Sequence, residues 1–128
     1  MNLLLDTHVL LWGAIAPDRL STEARDLITD DVAQLYFSAA SLWEVAIKRG
    51  LDRPDFRVEP GVLRAGLLAN GYQEVAITGR HCLVVMHLPD IHRDPFDRML
   101  VAQAQSEGLT LLTADAIVAR YPGPVRLV

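Results

Sequence analysis

An α/β fold built on a central parallel sheet is the class this sequence predicts, and three observations predict it. Short apolar runs alternate with segments of helical periodicity along the chain. Hydrophobic residues make up 51% and the mean hydropathy is +0.21, rich enough for strands covered on both faces. Helix boundaries are punctuated by Ser, Asp and Pro before and by Gly or Asn after. At 128 residues the chain reads as one domain, 1–128, long enough to bury a proper core.

The elements follow in order. The chain opens "LLLDTHVLLW", Leu3 to Trp12, with a first strand over Asn2–Leu5. Asp6 interrupts this apolar run, and an unpaired charge removed from water costs several kcal/mol. The strand therefore ends at Leu5 and delivers Asp6 to its carboxyl edge. Ser21–Asp30 is helical, with a capping Ser and Glu23 in the first turn. Strand Gln34–Phe37 leads into helix Ser38–Arg49, which stops at Gly50, and Leu51–Pro60 is a loop with Pro54, Asp55 and Pro60. Helix Gly61–Asn70 ends on the Asn70-Gly71 signal. Strand Glu74–Ile77 and helix Thr78–His87 follow. Asp94–Glu107 is the clearest helix, with Asp94 as N-cap, Pro95 at the first position and Gly108 as the stop. Its stripe of Phe96, Met99, Leu100 and Ala104 has helical spacing. Leu109–Thr113 is the fourth strand, and Val125–Val128 is a candidate fifth.

Bulk properties narrow the class further. The net charge of −4 does not advertise nucleic acid overall, although eleven of the twelve basic residues are Arg, the better fork for phosphate. Cys82 is the only cysteine, so no internal disulfide forms, as suits a reducing cytosol. No run reaches the ~18 apolar residues of a membrane span, and the N-terminus lacks the basic start of a signal peptide. The expected location is cytoplasmic.

Four acids gather where such a fold binds ligands, beyond the carboxyl ends of its strands. Asp6 follows the first strand, Glu44 lies one to two turns into the helix after the second, Asp97 is in the first turn of the Asp94 helix, and Asp115 follows "LTLLT". Each has a plain structural alternative. Glu44 completes a capping box in Ser41-Leu42-Trp43-Glu44, Asp97 complements a helix dipole, Asp115 caps a short helix and Asp6 sits in a turn. Together they are harder to dismiss, because two carboxylates ~5 Å apart repel by ~3 kcal/mol at an effective dielectric near 20. A hard divalent cation relieves that repulsion, and all-oxygen ligation suits Mg²⁺ or Mn²⁺. Thr7, Ser38 and Thr113 are hydroxyls beside the acids, with Ser38 read as a cap. His8, His81, His87 and His92 have no zinc-like spacing. His92 next to Arg93 reads as a solvated loop pair, and Cys82, in an apolar run, as core.

Carried by "LLLDTHVLLW", "SAASLWEVAIKRG" and "HRDPFDRMLVAQAQSEGLTLLTAD", the sequence resembles a PIN-domain ribonuclease toxin of the VapC type, from type II toxin–antitoxin pairs. The resemblance runs from the first residues to about Asp115, with Leu51 to Leu88 generic. It implies a PIN-like three-layer α/β/α sandwich with a parallel sheet of four to five strands. It places the family's acidic set on Asp6, Glu44, Asp97 and Asp115, with Asp6 and Asp97 most directly on the Mg²⁺ (or Mn²⁺) and Asp94 left outside as a cap. It implies cleavage of structured RNA such as tRNA or rRNA by metal-activated water, a cognate VapB-type antitoxin, and a homodimer. Arg98, Arg93, Lys48 and Arg49 are the nearest bases for RNA phosphates. Leu10, Leu11 and Trp12 are considered for self-association beside their more ordinary role in the core.

Three rivals remain at this level. A haloacid-dehalogenase type phosphatase also begins with an Asp after its first strand, yet needs a second Asp where His8 stands. A phospho-accepting receiver domain needs a late Lys, and Lys48 is the sole lysine. A degenerate PIN domain acting only as a binding module would not need the full acid set.

Overall fold

The computed structural model describes residues 1–51 and 57–128. Among these, five strands form one all-parallel sheet: β1 (Asn2–Leu5), β2 (Gln34–Ser38), β3 (Gln73–Val75), β4 (Thr110–Thr113) and β5 (Val125–Leu127), in the order β3-β2-β1-β4-β5. Six α-helices accompany them: α1 (Thr7–Ile15), α2 (Thr22–Ile28), α3 (Ala39–Gly50), α4 (Pro60–Ala69), α5 (Gly79–Val85) and α6 (Pro95–Glu107). Short 3₁₀ turns cover Pro17–Arg19 and Val118–Arg120.

Strand alternation sorts the core into two layers. Leu3, Leu5, Phe37 and Leu112 face one side, where they meet Val9 and Leu10 of α1, Ala24 of α2, Val45 of α3 and Leu63 of α4. Leu4 and Leu111 face the other, packed on Leu100, Val101 and Ala104 of α6. Both faces of β1 are covered, so Leu3, Leu4 and Leu5 are all fully buried. That is the three-layer α/β/α sandwich expected from the sequence.

Four boundaries follow local signals. Ser21 caps α2 through Ala24 N–H, and Ser38 caps α3 through Ala40 N–H. Asp94 caps α6, which ends at Gly108 in the left-handed conformation (φ 68°) that a side chain would resist.

The structure departs from expectation in several places. Helix α1 follows Asp6 directly and was not anticipated: "THVLLWGAI" is apolar around its circumference and has no amphipathic stripe to reveal it. Strand β3 ends at Val75 rather than Ile77, because its partner β2 hands over to α3 at Ser38. Cys82 is exposed, not core; His81 takes the buried position on α5, and the next residue points ~100° away around the helix. Leu10 is buried, and Leu11 and Trp12 pack against the same core. The loop expected over Leu51–Pro60 lies partly outside the described residues.

Strand order positions the site. From β1 the chain moves outward to β2 and β3, then returns to place β4 and β5 on the other flank. The carboxyl ends of β1 and β4 therefore flank a topological switch point, where α/β sheets bind ligands. Asp6 and Asp115 follow those two strands.

Candidate functional site

Asp6 is the N-cap of α1. Its Oδ1 accepts Val9 N–H at 2.9 Å, its Oδ2 accepts Thr113 Oγ1–H at 2.5 Å, and its own N–H donates to Leu112 at 3.0 Å. Only 3% of the residue is exposed. Burial pushes the Asp6 carboxyl above the usual range; the Thr113 and Val9 hydrogen bonds draw it back, and the Asp115 charge pushes it up again.

Thr113 ties the two central strands together at the site. While donating to Asp6, its hydroxyl accepts Asp115 N–H at 3.0 Å. Asp115 Oδ1 accepts Ile117 N–H at 2.8 Å, holding the turn, and leaves Oδ2 directed at His92.

On α6 the capping task belongs to Asp94, whose Oδ1 accepts Phe96 N–H at 2.8 Å and Asp97 N–H at 3.2 Å. Asp97 has no capping role, and its carboxyl is pushed up to about 7. Burial is the largest cause, followed by the charges of Asp94 and Asp6, with Glu44 adding a smaller push and His92 opposing.

The capping-box alternative for Glu44 fails, because α3 begins at Ala39 and its cap is Ser38. Glu44 is buried; its Oε2 pairs with Lys48 Nζ at 2.9 Å, and its Oε1 has no hydrogen-bond partner among the described residues. A buried carboxylate oxygen left without a partner costs about 1–3 kcal/mol or more. The charge of Glu44 is also felt at Asp97.

His92 belongs to the site, contrary to its expected role as a solvated loop residue. Its Nδ1 accepts Asp94 N–H at 3.1 Å, which assigns the ring proton to Nε2. Nε2 then faces Asp97 Oδ2 and Asp115 Oδ2, each at 3.4 Å. Tyr121 holds the His92 backbone, its hydroxyl accepting His92 N–H at 2.9 Å and donating to the His92 carbonyl at 3.2 Å. The available signal was position, two residues before Asp94 in the loop that feeds the carboxylate helix.

One ring nitrogen of His92 and one carboxylate oxygen each of Asp97 and Asp115 all lie within 4.8 Å of one another. Asp6 and Glu44 stand outside that group and act on Asp97 through their charge. The arrangement fits a hard divalent cation: carboxylates from four separate elements, a carboxyl raised by burial and then by neighbouring charges, and a carboxylate oxygen without a partner among the described residues. Of the expected basic residues, Arg98 is committed to Pro89 and Val85 carbonyls and to Tyr121 Oη, and Arg49 donates to the Arg57 carbonyl. Arg93 is exposed.

Comparison with known proteins identifies the family. The PIN domain family model matches residues 3–124. The chain is 32% identical over 127 residues to ribonuclease VapC22 of Mycobacterium tuberculosis (strain ATCC 25618 / H37Rv), covering 97% of this chain and 96% of that protein. In fold it is similar to a chain of Rickettsia felis VapBC2 bound to a DNA fragment from their promoter, with TM-score 0.72, 13% identity, and 99% and 98% of the two chains covered. A toxin–antitoxin complex from Klebsiella pneumoniae aligns with TM-score 0.63 at 17% identity, covering 96% and 94%. The phosphatase and receiver alternatives fall with these matches: the chain belongs to the PIN-domain family and is of the VapC type.

Proposed function

We propose that this chain is a Mg²⁺- or Mn²⁺-dependent endoribonuclease and the toxin of a type II toxin–antitoxin pair, with Asp6, Glu44, Asp97 and Asp115 as its metal-binding and catalytic acids. The observation that carries this reading is the mutual strain of the acids. Asp97 is pushed up to about 7 by burial and by neighbouring carboxylates, while Glu44 Oε1 is buried without a partner among the described residues. When bound, a divalent cation supplies Lewis acidity toward water and a phosphodiester at this edge of the sheet.

The chain's own residues do the positioning. Asp6 is fixed by Val9 N–H and Thr113 Oγ1, and Asp97 sits in the capped first turn of α6. Glu44 brings its free oxygen from α3, and Asp115 is oriented by His92 and its own turn. Structured RNA such as tRNA or rRNA is the proposed substrate class.

A VapB-type antitoxin and a second copy of the chain are the proposed partners. In support of the first, a cleft of about 810 Å³ between α1, α2 and α4 is lined by Ile15, Ile28, Leu35, Leu63 and Leu67, and suits the apolar face of a peptide segment. The purified chain should cleave a mixed tRNA and rRNA substrate with Mg²⁺ and stop when the ion is chelated. Cleavage that continues undiminished in chelator would remove the metal from this function.

A further inference from the structure

We propose that Gln103 is a positioning residue whose bond to Ser38 sets the register in which α3 and α6 pass each other, and with it the meeting of Glu44 and Asp97. The inference rests on the proposed metal site. Ser38, Gln103 and His81 are fully buried polar side chains that the proposed chemistry does not use. The Ser38 hydroxyl donates to Gln103 Oε1 at 2.5 Å and accepts Ala40 N–H at 3.0 Å, so the cap of α3 is also its tie to α6. At the other end of the amide, Gln103 Nε2 donates to the Ala76 carbonyl at 3.4 Å and faces His81 Nδ1 at 3.5 Å. Those two acceptors put the amide nitrogen on that side and leave the oxygen for Ser38. His81 is itself held: its Nδ1 accepts Thr78 N–H at 3.1 Å, which assigns the ring proton to Nε2, 2.7 Å from Glu107 Oε1. Gln103 is thus fixed by groups at the ends of β2 and β3 and by α5.

A second contact between the same helices shows what this bond sets. Trp43 of α3 meets Phe96 of α6 edge-on, with ring centroids 5.1 Å apart. From Ser38 to Trp43 the chain advances along α3, while from Gln103 to Phe96 it runs backward along α6, so the two helices are antiparallel. Six residues on from Ser38 stands Glu44, and six residues back from Gln103 stands Asp97. At 1.5 Å of rise per residue, both acids lie about 9 Å along their helices from the one tie, and so at the same level. Their closeness has a sign of its own, because the Glu44 charge is among the causes that raise Asp97. Packed helices can slide past one another by small amounts. A buried bond between a hydroxyl and an amide resists that slide, since it has a narrow good geometry and is costly to leave unmade.

The test compares Gln103→Met and Ser38→Ala, singly and together, in the full chain, with circular dichroism checking each fold. Gln103→Met keeps the bulk and loses the amide, and Ser38→Ala removes the same bond from the other side. Mn²⁺ affinity, read by electron paramagnetic resonance of the free ion, should fall by about tenfold in either single variant. The double variant should lose little more, because each change removes the one bond. In metal-free protein, the nuclear Overhauser contact between the Trp43 and Phe96 rings should weaken in the same variants. Leu20→Ala, a buried change between α1 and α2, should lower the melting temperature and leave both readouts as in the parent. If Gln103→Met does not fold, Ser38→Ala alone carries the comparison. Variants that melt lower yet keep parental Mn²⁺ affinity and the ring contact would make Gln103 a core residue only and overturn the proposal. Fully additive losses in the double variant would also overturn it, since Ser38 and Gln103 would then act separately. A parent chain that binds no Mn²⁺ would sink the metal site instead. The ring contact would then decide the register: its weakening in the single variants supports the proposal, and its persistence overturns it.

Discussion

Thr113 and Asp6 stand 107 residues apart in sequence, and the Thr113 hydroxyl donates to Asp6 Oδ2 at 2.5 Å in the centre of the sheet edge. The same hydroxyl accepts Asp115 N–H, so one buried side chain spaces two of the acids. Thr113→Val keeps the shape and removes the donor. It should destabilise the protein by about 1–3 kcal/mol, by leaving a buried carboxylate short of a hydrogen bond. Urea melts check this, and Thr113→Ser should retain most of the stability. A Val variant as stable as the parent would mean the hydroxyl has no part in holding Asp6.

Asp97 gives a pH signature in metal-free protein. Its carboxyl is raised from 3.8 to about 7 in the folded state, so between those values the folded chain holds a proton that the unfolded chain has released. The Asp97 contribution to stability therefore falls as pH rises through that window and levels off above about 7. Asp97→Asn cannot ionise. In chelator its stability relative to the parent should grow from pH 4 to 7 and then plateau. Melts of both proteins across that range check the slope, and a flat difference would contradict the strained site.

Glu44 tests the orphaned oxygen. Mg²⁺ bound to the folded chain alone should stabilise it by about 2.7 kcal/mol at a hundredfold excess over the dissociation constant. Glu44→Gln keeps the size and removes the charge that a hard cation favours. The thermal shift produced by Mg²⁺ or Mn²⁺ should shrink in this variant. An unchanged shift would place the ion away from α3.

His92 joins Asp94 N–H to Asp97 and Asp115 through one ring. His92→Phe preserves the planar bulk and loses both nitrogens. It should weaken Mn²⁺ binding, followed by electron paramagnetic resonance of the free ion, by about tenfold, the lower end for residues that orient metal ligands. Mn²⁺ affinity equal to that of the parent would leave His92 as packing only.

Much of this was legible because it is written locally. Ser21, Ser38, Asp94 and Gly108 end or start helices through bonds to near neighbours, and their positions announce it. Asp6 and Asp115 stand out because a carboxylate just after an apolar strand has few reasons to be there, and both lie at the carboxyl edge of the sheet. Helix α1 was not, since a helix apolar around its circumference lacks the 3.6-residue alternation that periodicity detects, whichever face it buries. His92 and Cys82 were misjudged for a related reason. Whether a side chain on a short helix or loop meets water depends on tertiary partners, here the Tyr121 hydroxyl that anchors the His92 backbone and the acids its ring faces, against open solvent over Cys82. The Glu44 capping box was a local pattern overruled by a stronger cap three residues earlier.

The most direct test of the central claim is gel cleavage of mixed tRNA and rRNA with Mg²⁺ by two variants on the same turn of α6. Asp94 caps the helix and Asp97 does not. Asn caps about as well as Asp, so Asp94→Asn should fold and retain most activity. Asp97→Asn should also fold, by circular dichroism, yet lose cleavage, because a neutral amide oxygen holds a hard cation poorly. If Asp97 only complemented the helix dipole, its replacement would cost about 0.3–1 kcal/mol of stability and leave cleavage intact. A well-folded, fully active Asp97→Asn protein would contradict the metal-dependent nuclease site proposed for this chain.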